Sequence, residues 1–452
     1  MSRRHGHNAA LRGLLSEAGM SAAELARNVN RLAAGEGLTL HYDRTTVAHW
    51  LSGSRPRDPV PQLVAEVLTR GIGRLVSVAE TGLAGPRSQA SGDGSDEDRA
   101  DPLPRLVALA RTDADPVRRV RLAHLVFRQH GVPDTEIRDM LETPGPASLR
   151  AGIGDPDVQR VRFVTSRFAA GWPRYGGGHA RAALASYLGD DMGRLLAQPA
   201  PSAERRALLS AAAQIVQVLG DMSADAGLQG LAQRYYLIAL DVAAGAGDRW
   251  TRAITLRAMS VQAVRLSALR HASDLADAAV TSARGQSGDL HTFVLAQRAY
   301  ARALAGERRG AYQDLDDAER QLGSSVVHDD PFLRYPRAGF AYRKGHTLHR
   351  LGDTEPALDA LRYAAARRPL HEHRTRALGQ ARLTLVLLGQ GRVDEACETG
   401  RLFGEEHRFL RSHRSSLMLR EIRARLTPYR RVPEAADLLQ RLAALARTTP
   451  GP

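Results

Sequence analysis

The chain has 452 residues, enough for two to four domains, because single cores rarely grow beyond about 250–300 residues. Hydrophobic residues make up 43% and charged residues 25%, as in a typical globular protein, while aromatic residues make up only 5%. Low aromatic content and abundant alanine favour packed helices over a β-sandwich, so we expect an all-α fold.

The formal net charge is +14, from 63 basic and 49 acidic residues, and a basic chain favours a nucleic-acid partner. Lys344 is the only lysine, and the other 62 basic residues are arginines. A GC-rich genome produces this skew, so the charge alone is modest evidence. Residues 1–60 hold eight arginines against five acidic residues, and most of the excess lies elsewhere.

Cysteine content and hydropathy limit the location of the chain. The single cysteine, Cys397, excludes an intramolecular disulfide framework and a multi-cysteine zinc site. No apolar stretch follows the early arginines of MSRRHGHNAAL, and no run approaches the ~18–20 apolar residues of a membrane span. We expect a cytoplasmic protein that does not contact a membrane.

Four regions follow in chain order: a helical unit at 1–80, a flexible linker at 81–101, a helical intermediate region at 102–204 and a repeat region at 205–450. The linker prediction depends on AGPRSQASGDGSDEDRAD, which lacks an apolar period and is rich in Gly, Ser and Asp.

Two amphipathic helices open the first unit. The segment NAALRGLLSEAGM places Leu11, Leu14 and Leu15 on one face. The segment SAAELARNVNRL begins at Ser21, and Glu24 follows at the spacing of a capping box.

A third helix is predicted in DRTTVAHWLSGSRP. Asp43 is a natural N-cap, Val47, Trp50 and Leu51 are spaced to pack inward, and Ser52-Gly53 ends the helix. The outward positions are short or hydrogen-bonding: Arg44, Thr45, Ala48 and His49, with Thr46 near them. Such side chains can enter a DNA major groove, where arginine reads guanine and threonine contacts a base or the thymine methyl.

The ELA of the second helix, followed by TVAHWLSG, resembles the helix-turn-helix domain of Cro/repressor-like (XRE) proteins over roughly residues 8–70. The connection AAGEGLTLHY is longer than that family's usual turn. The resemblance implies double-stranded DNA as partner and a homodimer on two half-sites. The residues expected at DNA are Arg44, Thr45, Thr46 and His49 near bases, and Arg55 and Arg57 at phosphates.

The repeat region is marked by an alanine that opens the second helix of each unit. These alanines, at intervals of 40, 39, 46, 39 and 39 residues, are Ala232, Ala272, Ala311, Ala357, Ala396 and Ala435. An apparent insertion around HDDPFLRYP accounts for the long interval, and glycines occupy several turns between helices: Gly227, Gly306, Gly352 and Gly391.

The fourth unit, KGHTLHRLGDTEPALDALRYAAARRP, resembles the tetratricopeptide repeat. Gly345 and Ala357 are small enough to bring its two helices close together, and Leu348 and Leu361 fill the space between them. The resemblance implies an α-solenoid whose first helices line a groove for a peptide, a small molecule or a protein partner. The groove candidates are Arg257, Tyr300, Tyr342 and His346, each of which is equally compatible with a solvated or packing role.

The order of parts, with the phrases RYGGGHARAALASYL and GLAQRYYLIALDVAAGAGD, resembles a family of actinobacterial regulators. These join a repressor-like domain to tetratricopeptide-like repeats and include negative regulators of sporulation and antibiotic production. The resemblance implies a sequence-specific transcriptional regulator of development or secondary metabolism. The alternatives are a repeat scaffold without specific DNA binding, and a peptide-gated sensor that also binds DNA.

Other motifs indicate no chemistry. The run Gly176–Gly178 lacks the Lys-Ser/Thr end of a phosphate loop and predicts a flexible entry to a helix at residues 180–188. His371 and His373 have no completing metal-ligand set, and Cys397 fits a packing position. We expect no enzyme activity, no catalytic residues, no metal and no cofactor.

Overall fold

The computed structural model describes residues 7–35, 38–84, 101–129, 154–286, 288–322 and 335–448. These residues form helices and no strands, as the all-α prediction requires. Residues 85–100, most of the predicted linker, and residues 323–334, most of the predicted insertion, lie outside the described ranges.

The N-terminal unit contains α1 (Ala9–Glu17), α2 (Ala22–Gly35), α3 (Arg44–Leu51) and α4 (Val60–Ile72). Its core gathers apolar residues from all four helices, including Leu25, Val47, Trp50 and Leu63. The unit extends past the expected boundary at residue 80, because the buried Leu83 belongs to the same core.

The connection between α2 and α3 is anchored at its far end. The Asn30 side chain donates to the Tyr42 carbonyl (2.8 Å) and accepts from the Tyr42 amide (2.9 Å). The Tyr42 ring meets the edge of Trp50, with centroids 5.3 Å apart. Thus α3 is held against α2 across the long connection.

The intermediate region contains α5 (Pro102–Ala114), α6 (Arg119–Leu122), α7 (Asp155–Tyr175), α8 (Arg181–Tyr187) and α9 (Gly193–Leu196), with a π-helical turn at Leu188–Met192. Its apolar residues share one core with the first helices that follow. The buried Asp113 accepts from Arg181 (2.5 Å) and from the Tyr235 hydroxyl (2.8 Å). The region therefore packs directly against the repeats.

The described part of the repeat region contains six helical pairs, and a short connection joins the two helices of each pair. Their helices are α10 (Ser202–Asp225), α11 (Gln229–Ala246), α12 (Arg249–Arg265), α13 (Leu269–Ala283), α14 (Gly288–Ala305), α15 (Arg308–Gln321), α16 (Arg337–Leu351), α17 (Thr354–Ala366), α18 (His373–Gly389), α19 (Val393–His407), α20 (His413–Leu426) and α21 (Pro433–Thr448). All six aligned alanines lie near the start of a second helix and are fully buried.

Small residues act in these pairs as their spacing predicts. All four turn glycines have positive φ, between 71° and 93°, a region that favours glycine. A Cβ at Gly345 would lie 2.7 Å from Leu361 Cγ, so only glycine allows α16 and α17 to approach so closely.

The first and fifth pairs meet across the interior of the repeat region. Asp225 at the end of α10 pairs with Arg374 of α18 at 2.8 Å and also accepts from the Gly177 amide at 2.7 Å. The Gly178 amide donates to the Arg411 carbonyl at 2.8 Å. These contacts narrow the groove expected along the first helices.

An extended segment, residues 125–129, lies between the N-terminal unit and α11. Three consecutive side chains enter three different cores: Leu125 that of the intermediate region, Val126 that of the N-terminal unit and Phe127 that of α11–α13. The backbone of Arg128 exchanges two hydrogen bonds with the Gln233 side chain (2.7 and 2.5 Å). The N-terminal unit is thus packed on the repeat region.

One described helix, α10, is long and apolar enough to span a membrane by length and composition. The most apolar part of that helix is 72% buried inside the protein, as in the core helix of a soluble protein. The expectation that no segment is long and apolar enough for a membrane span was therefore wrong for α10.

Candidate functional site

The position of α3 depends on its first turn. The Asp43 carboxylate accepts from the Thr46 amide and the Thr46 hydroxyl, both at 2.8 Å, which confirms the predicted N-cap. These hydrogen bonds lower the pKa of Asp43. Because Val47 and Trp50 are buried in the core, the opposite side of the helix faces solvent.

The outward residues of α3 are exposed: Arg44, Thr45, Ala48 and His49. Thr46 is half-buried and its hydroxyl is engaged by Asp43, so it is less available than the sequence indicated. Arg55 and Arg57, beyond the turn, are also exposed. None of the three arginines forms an ion pair within the described part of the chain, which leaves their charges available to a partner.

The N-terminal unit meets the repeat region through other helices. A crevice of about 320 Å³ is lined on one side by residues of α2 and α4 and on the other by Arg265, Leu266 and Ser267. Gly35, at the end of α2, lies against Leu266. The exposed side of α3 is therefore accessible while the unit is docked.

A second candidate site is the cavity enclosed by the repeat region, with a volume of about 270 Å³. The first helix of every pair contributes a residue to its wall, as expected for the inner surface of a curved repeat array. The polar and aromatic lining residues are Trp172, Gln217, Asp221, Asp225, Tyr236, Arg257, Gln262, Arg265, Phe293, Tyr335, Tyr342, Arg343, Arg368, Arg374, Thr375 and Arg414.

The wall is strongly cationic. Six arginines face two aspartates, which gives the lining a formal charge of +4. Arg374 is paired with Asp225, and Arg368 lies 3.6 Å from Glu372. Four arginines have no carboxylate partner among the described residues: Arg257, Arg265, Arg343 and Arg414.

Burial weakens the hold of these guanidinium groups on their protons. It lowers the pKa of Arg257 and of Arg265 to about 10, and Arg343 adds like-charge repulsion at Arg257. Burial also lowers the pKa of Arg414. The shifts record an excess of positive charge in a poorly solvated space.

Aromatic rings face part of this charge. The Arg257 guanidinium lies 3.6 Å from the Phe293 ring centroid, and that of Arg374 lies 4.5 Å from the Trp172 ring. Phe293 in turn contacts Tyr335, with centroids 4.4 Å apart. Cation–π contacts of about 0.5–2 kcal/mol each offset only part of the cost of crowding like charges.

The two aspartates differ in protonation. Burial raises the pKa of Asp221 to about 6, although Tyr236 and Gln217 donate hydrogen bonds to it (2.8 and 2.7 Å). At Asp225 burial acts to raise the pKa, but the charge and hydrogen bond of Arg374, together with hydrogen bonds from the Gly177 amide and Ser412, lower it overall. Asp225 therefore stays ionised as a closing contact, whereas Asp221 titrates near neutral pH.

The structure brings the four groove candidates together. Arg257 and Tyr342 line the cavity. His346 lies behind Tyr342 (ring centroids 4.5 Å apart) and against Tyr300 (5.5 Å). Neither nitrogen of the buried His346 has a hydrogen-bond partner within the described chain, and burial holds its pKa well below the usual value. Tyr300 and His346 thus support the wall without lining it.

Sequence reasoning missed most of the cavity arginines, although a positional signal exists. Gln217, Arg257 and Tyr342 each stand fifteen residues before the aligned alanine of their pair, and all three line the cavity. Arg374 and Arg414 do not share this register. Their approach depends on the closure of the array, which no single repeat encodes.

The motifs to which the sequence assigned no chemistry are packed or paired inside the fold. The glycine run is closely packed and not a flexible entry: a methyl group at Gly177 would overlap the Met222 carbonyl oxygen. His373 contacts Glu406 at 2.8 Å, and the described residues contain no cluster suited to a metal. Cys397 is fully buried, and its pKa is raised by burial.

Comparison with known proteins adds one finding about the N-terminal unit. Residues 11–84 match the family model described as the SP15 N-terminal domain. The match begins within α1 and ends with the core residues after α4, so it covers the unit that carries α3. No curated protein matches the chain.

Proposed function

We propose that the protein is a sequence-specific DNA-binding transcriptional regulator whose α3 enters the major groove. The observation that carries the proposal is the exposed side of α3, where Arg44, Thr45 and His49 project from a capped helix fixed by buried Trp50. Arginine and threonine at the start of an exposed helix suit contacts with base edges.

The residues divide by role. Arg44, Thr45 and His49 would contact bases and so determine which sequence is bound. Arg55 and Arg57 follow the helix and, with no internal ion pair, would contact phosphates. Thr46 would act chiefly by fixing the first turn, because Asp43 engages its hydroxyl. Two copies on adjacent half-sites would provide the dimer expected of such domains.

Selection from a random duplex library, followed by fluorescence anisotropy at several salt concentrations, tests this function. We expect the full chain to enrich one motif and Arg44→Ala to lose selectivity at a base pair, with a loss of about 1–3 kcal/mol. Arg55→Ala should weaken binding to all sequences and reduce the salt slope by about one. Arg252→Ala, a change to an exposed arginine of α12, is the matched control.

The alternative is a repeat scaffold without specific DNA binding. It predicts no enriched motif and equal, weak, salt-sensitive binding by the wild type, Arg44→Ala and Arg252→Ala. That result would overturn the proposal, because a net charge of +14 alone accounts for nonspecific attraction to DNA.

A further inference from the structure

The cavity of the repeat region contains more positive charge than the described protein neutralises. Arg257 and Arg265 of α12 and Arg414 of α20 approach it from two different helices, and none of them has a carboxylate partner among the described residues. Arg343 is only 7% exposed, and its buried Nε has no hydrogen-bond partner within the described chain. Unpaired buried donors of this kind are costly, so a convergent set of them points to an anionic ligand.

The number and type of cations indicate the kind of anion. Guanidinium groups match phosphate oxygens in pairs of parallel hydrogen bonds. Four arginines without a carboxylate partner suit a ligand with two or more negative charges better than a single carboxylate. A phosphate ester supplies that charge at one position.

The rest of the cavity wall indicates that the ligand also has a flat apolar part. Trp172, Phe293, Tyr335 and Tyr342 provide aromatic surface beside the arginines. The amides of Gln217 and Gln262 are both buried and face the same space, and the Gln262 carbonyl oxygen has no hydrogen-bond partner in the described chain. The Gln262 amide nitrogen already donates to Gln229, and that of Gln217 donates to Asp221. The Gln262 carbonyl oxygen is therefore the group that can accept a hydrogen bond from the edge of a heteroaromatic ring.

The size of the cavity favours a compact ligand over an extended peptide. Its volume of about 270 Å³ lies just below the ~300–1,000 Å³ of most small-molecule sites. The Asp225–Arg374 pair and the packed glycine run occupy one side of the groove that a peptide would follow.

We infer that this cavity binds a compact phosphorylated molecule with a flat ring, of the nucleotide or aryl phosphate class. Arg257, Arg343 and Arg414 bind its phosphates, and the aromatic wall holds its ring. The inference does not require DNA binding, so it can be tested and can fail separately from the proposed function.

Calorimetry and thermal unfolding of the full chain without DNA test the inference. The probes are pyrophosphate, a panel of ribonucleoside 5′-phosphates, and the uncharged nucleosides. We expect at least one nucleotide to bind and raise the Tm, pyrophosphate to bind more weakly, and nucleosides not to bind. Arg257→Gln and Arg414→Gln should each weaken binding by about tenfold or more, since charged hydrogen bonds contribute about 1.5–3 kcal/mol.

Two further variants make the outcome decisive even if an arginine variant unfolds. Asp221→Asn removes a negative charge from the wall and should tighten binding. Arg252→Gln changes an exposed arginine on the same helix as Arg257 and should bind as the wild type does. Equal affinities in the wild type and all four variants, no binding of any phosphate probe, or tight binding of uncharged nucleosides would each overturn the inference.

Discussion

Asp221 illustrates how one residue can set the pH response of the cavity. It faces Tyr236 of α11, Arg257 of α12 and Arg374 of α18, and burial raises its pKa to about 6. An acid whose folded pKa is raised keeps its proton in the folded state as pH rises, and becomes charged only above that value. The empty cavity is therefore more positive at pH 5 than at pH 7.

We predict that a non-titrating anion such as sulfate binds the wild type more tightly at pH 5 than at pH 7. The arginines stay charged over this range, and burial with the Asp221 charge raises the pKa of Tyr236, so it stays neutral. Calorimetry at both values checks this, with Asp221→Asn as control. The gap in affinity between the two proteins should close at pH 5. A gap that is unchanged between the two pH values would contradict the assignment.

The sequence predicted the roles of some individual residues well and of others poorly. The Asp43 cap and the burial of Trp50 follow from local spacing, because a cap and a helix face involve neighbours in the chain. Thr46 was placed with the base readers, yet its hydroxyl completes the cap. The sequence could not identify Arg374 and Arg414 as cavity residues. Both approach α10 in the fold, although they lie about 150 residues or more from it along the chain.

Among the elements, the glycine run after α7 connects the intermediate region to both ends of the repeat array. The Gly177 amide donates to Asp225, and the Gly178 amide donates to the Arg411 carbonyl. Neither position has room for a side chain: a Cβ at Gly178 would lie 2.9 Å from that carbonyl oxygen. The glycines of this run are needed because the backbone passes close to Met222 and Arg411, although the sequence alone suggests a flexible hinge.

We predict that Gly177→Ala lowers the free energy of unfolding by about 1–3 kcal/mol, the usual cost of overpacking. It should also weaken anion binding, because Asp225 and Arg374 would have to shift. Thermal and urea unfolding check the first effect, and calorimetry checks the second. Gly171→Ala, in the interior of α7 with open space around it, is the matched control and should stabilise by up to about 1 kcal/mol. Equal effects of the two changes would show that the run has no closing role.

For the repeats as elements, the alanine spacing predicted the positions of the second helices correctly, and all six alanines are buried. The reason is physical: a small residue is required wherever two helices of a pair approach closely. The spacing could not predict that the first and fifth pairs meet, because their contact joins residues 149 positions apart in the chain.

Over the whole molecule, Arg265 occupies a position between the two candidate sites. It lines the cavity and also the crevice where α2 and α4 of the N-terminal unit face Leu266 and Ser267. A ligand that attracts Arg265 into the cavity would change what the N-terminal unit contacts. The cavity and the N-terminal unit would then be coupled through the short segment Arg265–Ser267.

We predict that a bound nucleotide slows amide hydrogen exchange both in residues 262–267 and in the C-terminal turn of α2. Mass spectrometry of the full chain with and without ligand measures this. Arg257→Gln, which should lose the ligand, is the control and should show neither change. Slower exchange confined to the cavity helices, with α2 unaffected, would contradict coupling through Arg265.

A genome-wide binding map of the tagged protein in its own host tests whether the exposed side of α3 reads DNA. The map is made for the wild type, Arg44→Ala and the control Arg252→Ala. We predict sharp peaks that share one motif in the wild type and control, and loss of these peaks in Arg44→Ala. Diffuse signal in all three, or peaks that persist in Arg44→Ala, would contradict it.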